Sequence, residues 1–289
     1  MTGRLYKIFM ALSRVVGLWP LKLTAVVVAT VYFLCSTKRR AHSVRFYRAL
    51  FPGRSRLFHV GCAWRQYQDF ARLYSERLEI DRRKNVKFET EGGAYLEQAK
   101  AAGRGAILLM SHFGRWEIGA RLLAQRREKL TLVMGGEDDG RARAGVDDDL
   151  RRAGVGVVTV PAGEGKAFDI LEAVQVLRGG GIVSLAADRA WGDARVLRVP
   201  FLGYTVPVAA APFALALVSS APLLVVFAVK LGPGHYRFSC DSPIVLSAPR
   251  RADRETVMQQ AATAYVRRLR EMVERHPEQW QTFGEFLEE

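Results

Sequence analysis

The sequence predicts an α/β fold, a mostly parallel central sheet flanked by helices, preceded by a basic helical N-terminal region. Three observations predict it. Beyond residue 85, short β-rich runs alternate with stretches of helical periodicity, the order that builds a parallel sheet through crossover helices. Before residue 85, apolar and aromatic residues recur at helical spacing instead. The charge is also asymmetric: of a net +14, nearly all falls in residues 1–104, which hold 20 Lys and Arg against 7 Asp and Glu. A hydrophobic content of 49% over 289 residues is ample for a buried core. Cys35, Cys62 and Cys240 are odd in number and far apart. That spacing excludes a disulfide framework and a zinc site, and fits a reducing compartment.

The N-terminal region, residues 1–84, has no acidic residue before Asp69. Within it Leu18 to Cys35 is almost continuously apolar, at the lower limit of what spans a bilayer core, and Lys38, Arg39 and Arg40 follow at once. An apolar stretch inside a basic segment points to the anionic face of a membrane, held by an anchor at about residues 18–35. Nucleic acid is disfavoured, because it calls for basic residues with aromatics on one exposed face. No small-residue cleavage site follows, so a removed signal peptide is disfavoured too. An ordinary buried helix is the alternative reading. His42 to Phe51 and Leu57 to Ile80 then read as helices parted by Pro52-Gly53.

In residues 85–289, strands are expected at Val86–Thr90, Ala106–Met110, Leu130–Met134, Val155–Val160 and Ile182–Ala187. Helices at Gly93–Ala102, Arg115–Gln125, Val146–Ala153 and Ala167–Leu177 alternate with them. The Gly- and Asp-rich stretch Gly135–Asp149 reads as a loop, and the segment from Ala187 to Val208 as irregular. A helix near Ala209–Val218 follows, then a hairpin of Leu223–Lys230 with Tyr236–Cys240, and a last helix from Arg254 to about Arg275.

The chemistry concentrates at Ser111-His-Phe-Gly-Arg-Trp-Glu117. His112 falls just past the carboxyl end of a strand, where open α/β sheets place their ligands. Gly114 reads as the cap of the next helix and Glu117 as a residue of its first turn. An imidazole with one nitrogen held by a carboxylate keeps one tautomer, and its other nitrogen can take a proton from a hydroxyl. A structural histidine beside a glutamate that favours the helix dipole is the alternative. No G-x-S-x-G elbow surrounds Ser111. His42, His59 and His235 lack partners at ligand spacing, so no metal is expected.

These residues resemble the H-x-x-x-x-[DE] signature of the lysophospholipid acyltransferase superfamily, and within it the lipid A late-acyltransferase (lauroyl/myristoyl acyltransferase-like) branch. Ala187-Asp-Arg-Ala-Trp-Gly192 with Val199-Pro-Phe-Leu-Gly203 resembles that branch's D-x-x-x-G and V-P-F-F-G pair, and His276-Pro-Glu-Gln-Trp280 its terminal H-P-E-Q-aromatic element. The resemblance implies a membrane-associated O-acyltransferase at the cytoplasmic face of the bacterial inner membrane. It would carry a fatty acyl chain from acyl carrier protein or coenzyme A to a hydroxyl of a lipid or glycolipid. No cofactor is implied beyond the acyl thioester co-substrate.

By the same resemblance His112 is the general base and Glu117 its orienting partner, with Asp188 and Arg189 as substrate-binding residues. Arg115, in the same turn as the histidine, is expected to bind substrate by facing an anionic headgroup or the carrier phosphopantetheine, with a merely exposed arginine as the alternative. For Asp188 a structural cap of its loop is the alternative. One departure stands out. After Met134 the branch carries an R-x-x-x-N-P-like element, whereas this chain has Gly135-Gly-Glu-Asp-Asp-Gly140, with Arg141 and Arg143 beyond it. The acceptor is therefore left open. The rival from another class is a non-catalytic basic membrane-binding protein on the same fold.

Overall fold

The structure, a computed structural model, describes residues 19–82, 86–135, 148, 150–160, 167–190 and 194–288. They divide into two compact units. One comprises the chain up to Lys87 with Gly232–His235 and Val273–Glu285; the other comprises Phe88–Leu231, Tyr236–Met272 and the residues from Phe286 onward.

The first unit is helical: α1 (Trp19–Cys35), α2 (Thr37–Leu50) and α3 (Arg56–Arg82). Between α1 and α2 the chain bends by 93°. There the Arg40 guanidinium reaches back and donates to the carbonyls of Leu34 at 2.8 Å and Phe33 at 3.2 Å, two acceptors that a helix end leaves open. One face of α1 packs on α3. Phe33 is buried and meets the Tyr67 ring edge-on at 5.2 Å, and Thr30 Oγ1 accepts from Trp64 Nε1 at 3.2 Å and Gln68 Nε2 at 3.0 Å. The other face repeats Trp19, Leu23, Val27, Val31 and Leu34, each more than half exposed. Among the described residues no single helix is long and apolar enough to cross a membrane, although α1 and α2 together pass that test as a bent pair.

The His276–Trp280 element closes this unit. Its Pro277–Gln279 turn is 3-10, and Trp280 is wholly buried against the Phe46 ring at 5.2 Å. Gln66 Nε2 donates to the Trp280 carbonyl at 2.6 Å and Tyr47 OH to that of Pro277 at 3.0 Å. The terminal motif is thus a packing element of the helical unit.

The second unit is built on a seven-stranded sheet in the order β1-β9-β8-β2-β5-β3-β4. Its strands are β1 (Lys87–Glu91), β2 (Ala106–Met110), β3 (Leu130–Gly135), β4 (Gly156–Val160), β5 (Ile182–Ala186), β8 (Leu223–Gly232) and β9 (His235–Cys240). From β8 through β2, β5 and β3 to β4 every pairing is parallel. Every residue of β2 and of β5 is buried, as a sheet covered on both faces requires. Leu108, Leu132 and Leu224 from the sheet pack with Leu96 of α4 (Gly93–Ala101) and Leu123 of α5 (Trp116–Gln125) in one core cluster. Further helices are α6 (Ala167–Arg178), α7 (Ala211–Ser219) and α8 (Arg254–Arg275). The expected α/β class, with a mostly parallel sheet flanked by helices, holds.

Two expectations need correction or restriction. The segment read as irregular up to Val208 contains a two-stranded antiparallel ribbon, β6 (Val196–Phe201) and β7 (Tyr204–Ala209). Leu197, Val199 and Phe201 alternate inward along β6, a period-2 pattern that the prolines disguised. Pro200 and Pro207 are tolerated because a two-stranded ribbon is all edge. Of the helix expected over Val146–Ala153, residues 148 and 150–152 are helical, and most of the Gly135–Asp149 loop lies outside the described residues.

Candidate active site

Parallel register brings the site together. Strands β2 and β5 pair residue for residue from Ala106 with Ile182 to Met110 with Ala186. Two positions past the last pair, His112 and Asp188 stand at the same level on adjacent strand ends. The Asp188 carboxylate grips His112 twice: Oδ2 accepts the His112 backbone N–H at 2.9 Å, and Oδ1 lies 2.9 Å from Nδ1. A carboxylate accepts only, so Nδ1 carries the proton, and in the neutral imidazole the lone pair is on Nε2. The Asp188 side chain is 2% exposed, whereas that of His112 is 25% exposed. The anchor is therefore buried and the imidazole accessible.

The strand ends are themselves tied. Ala187 N–H donates to the Met110 carbonyl at 3.1 Å, and Ala209 N–H, at the end of β7, donates to the Ala187 carbonyl at 2.9 Å. The same Met110 carbonyl accepts from the hydroxyl of Tyr265, a fully buried residue of α8, at 3.2 Å. Burial, and next the charge of Asp188, push the Tyr265 phenol well above its usual value.

After His112 the chain is held against β8. The buried Phe113 ring meets that of Phe227 edge-on at 5.6 Å, Gly114 bridges Ala228, and Arg115 N–H donates to the Ala228 carbonyl at 2.6 Å. Gly114 has φ of 68°, and a Cβ there would sit 2.1 Å from the Ala228 oxygen, so only glycine fits. The expected capping role of Gly114 is corrected accordingly: Arg115 occupies the N-cap, and the glycine serves the close approach to β8. Arg115 N–H is thereby spent on Ala228.

The other expected site residues fall around this turn. Glu117 lies in the first turn of α5 and is half-buried. Arg115 is 1% exposed and among the largest wholly buried side chains, while Arg189 is half-buried beside Asp188. Arg141 and Arg143 lie outside the described residues. Sequence reasoning singled out Asp188 but not its grip on His112, because 76 residues separate the two. It missed Tyr265 altogether; a lone tyrosine in a helical pattern carries no signal of its own.

An apolar cavity lies under α5, lined by Ser111, Phe113, Trp116, Gly119, Leu132 and Phe238 among others, with a volume of about 30 Å³. That is room for about one water and none for a fatty chain. Among the described residues, no group of three or more His, Cys, Asp or Glu side chains is arranged to hold a metal ion.

No individual curated protein matches the chain. Residues 20–285 match the model of the bacterial lipid A biosynthesis acyltransferase family, to which this chain therefore belongs as an acyltransferase of the lipid A late-acyltransferase type.

Proposed function

We propose that this enzyme moves a fatty acyl chain from a carrier thioester, on acyl carrier protein or coenzyme A, to a hydroxyl of a lipid A-like glycolipid, with His112 as general base. The observation that carries the reading is the two-point hold of Asp188 on His112, which occupies Nδ1 and leaves Nε2 as the basic nitrogen of a partly exposed imidazole. Nε2 takes the proton of the acceptor hydroxyl as its oxygen attacks the thioester carbon. The tetrahedral intermediate collapses with cleavage of the C–S bond, and the imidazolium returns the proton to the departing thiolate. Such an arrangement, a buried carboxylate behind an accessible imidazole, holds the tautomer and stabilises the imidazolium as it forms.

Asp188 takes the orienting role that the resemblance assigned to Glu117. Glu117 is kept as a second carboxylate of the centre, in the first turn of α5. Arg189, half-buried beside Asp188, supplies a cationic group that an anionic acceptor or carrier would meet, whereas Arg115 is wholly buried and meets neither. The membrane is approached through the helical unit: the exposed stripe from Trp19 to Leu34 enters the acyl boundary, and Lys38 and Arg39, exposed in α2, meet anionic headgroups. This side is the cytoplasmic face of the inner membrane.

The test is acyl transfer by the purified full-length protein in detergent, from acyl-carrier-protein and coenzyme A thioesters to a lipid A precursor. The wild type should release the carrier thiol and the acylated lipid in equal amounts, and His112→Ala should lose at least about 10³-fold in kcat while folding normally. Near-normal turnover by His112→Ala would refute the assigned base.

A further inference from the structure

The C-terminal helix α8 reaches the site through one hydroxyl. Tyr265 is wholly buried, and its OH donates to the Met110 carbonyl at 3.2 Å. That carbonyl is where the two halves of the catalytic pair meet. It belongs to the last residue of β2, two before His112, and it also accepts from Ala187 N–H, one before Asp188, at 3.1 Å. A carbonyl oxygen has two lone pairs, and here each is used, one by the neighbouring strand and one by Tyr265.

Nothing in strand pairing calls for the second donor. Beyond Met110 and Ala186 the ladder has ended, and the backbone must leave the sheet to turn the imidazole outward. Past a ladder's end a strand terminus frays unless another group holds it. The phenol is suited to hold it. Burial keeps its proton on, so the donor persists over any ordinary assay pH. The phenol is carried by a helix fixed to the same unit through a two-point ion pair, Arg268 Nε and Nη2 on the Asp241 carboxylate at 2.5 and 2.6 Å. The Asp188 charge also favours the protonated phenol.

We propose that Tyr265 is a positioning residue for acyl transfer: its hydroxyl pins the Met110 carbonyl and so sets the distance between His112 and Asp188. The assignment rests on the functional reading above. A displacement of about 1 Å at a reacting group costs on the order of 100-fold in rate, so one remote hydrogen bond at a strand end is enough to matter. Its loss should lower kcat and leave substrate affinity alone, because Tyr265 touches neither donor nor acceptor.

The experiment compares wild type, Tyr265→Phe and Leu269→Ala in detergent. Leu269 is a wholly buried packing residue of the same helix and serves as the control for destabilisation without loss of the hydroxyl. Two quantities are read: kcat and KM with an acyl thioester, and the downfield Nδ1 proton resonance of His112, assigned by its absence from His112→Ala. For Tyr265→Phe, kcat should fall about 10- to 100-fold with KM changed less than about twofold, and the resonance should broaden or vanish. Leu269→Ala should lower the melting temperature and keep both. Wild-type kcat and resonance in Tyr265→Phe would overturn the proposal, as would changes no larger than those of Leu269→Ala, or a Tyr265→Phe chain that fails to fold. If the wild type itself transfers no acyl chain, the functional reading fails, while the resonance still decides whether Tyr265 holds the pair.

Discussion

His112 and Asp188 face each other because β2 and β5 run parallel and in register, so that two residues beyond the Met110–Ala186 pair the carboxylate meets the imidazole at 2.9 Å. The pair is thus a property of the sheet, continued past its last ladder position. The strands beneath the pair are buried on both faces and cannot drift without breaking the core.

The pairing predicts how two carboxylates divide the work. Asp188→Asn keeps the shape of the side chain but offers an amide, which allows the wrong imidazole tautomer, and kcat should fall by about 10²- to 10⁴-fold with little change in melting temperature. Glu117→Gln, measured in the same assay, reports the second carboxylate. A larger loss from Glu117→Gln than from Asp188→Asn would show that the orienting role lies with Glu117 after all.

Gly114 should tolerate nothing larger. A Cβ there meets the Ala228 oxygen at 2.1 Å, and φ is 68°. Gly103 has a similar φ of 71° but nothing within 4 Å of its Cβ. Gly103→Ala therefore bears only the backbone strain, about 1 kcal/mol, whereas Gly114→Ala adds a backbone displacement and should cost roughly 3 kcal/mol or more, with loss of activity. Denaturant unfolding of both variants checks the difference; equal destabilisation would contradict the contact with β8.

Thiol chemistry should separate the cysteines. Burial pushes the Cys240 thiol up to about 12, and it also raises Cys62, while Cys35 is exposed. At pH 8 the thiolate fraction of Cys240 is about one in 10⁴, so iodoacetamide should modify Cys35 first and leave Cys240 intact in the folded protein. Peptide mass spectrometry reads the order, and early alkylation of Cys240 would show that its environment is open.

The outer face of α1 should govern membrane binding. Val27→Asp with Val31→Asp puts two carboxylates on the exposed stripe without touching the buried Ala29 and Phe33. Partition into vesicles of mixed neutral and anionic lipid should fall on the order of tenfold or more, with secondary structure retained. Unchanged partition would remove α1 from the membrane contact.

Helix α8 depends on its ion pair. Arg268→Ala removes a two-point contact from Asp241 whose side chains are 30% and 19% exposed, and after screening by solvent it should cost about 1–2 kcal/mol. Thermal unfolding measures this, and Arg268→Lys, which loses the planar fork, should recover only part of it.

Much of this protein could be read along the chain. The alternation after residue 85 determined the parallel sheet, since each strand is a short apolar run and each crossover a stretch of helical period, and α8 begins and ends where its pattern does. The histidine motif was legible for a related reason: its residues are neighbours in sequence and their chemistry is local. The β6–β7 ribbon was hidden by prolines that would break an inner strand but not an edge. What tertiary structure alone decided is which carboxylate stands against Nδ1 of His112. Glu117 was the natural partner by proximity in the chain, but Asp188, 76 residues away, holds Nδ1 because strand register, a matter of which buried faces pack together, is not written in any single segment. Tyr265 enters by the same route. Its hydroxyl finds a carbonyl 155 residues away, a contact that exists only once α8 has docked on the sheet.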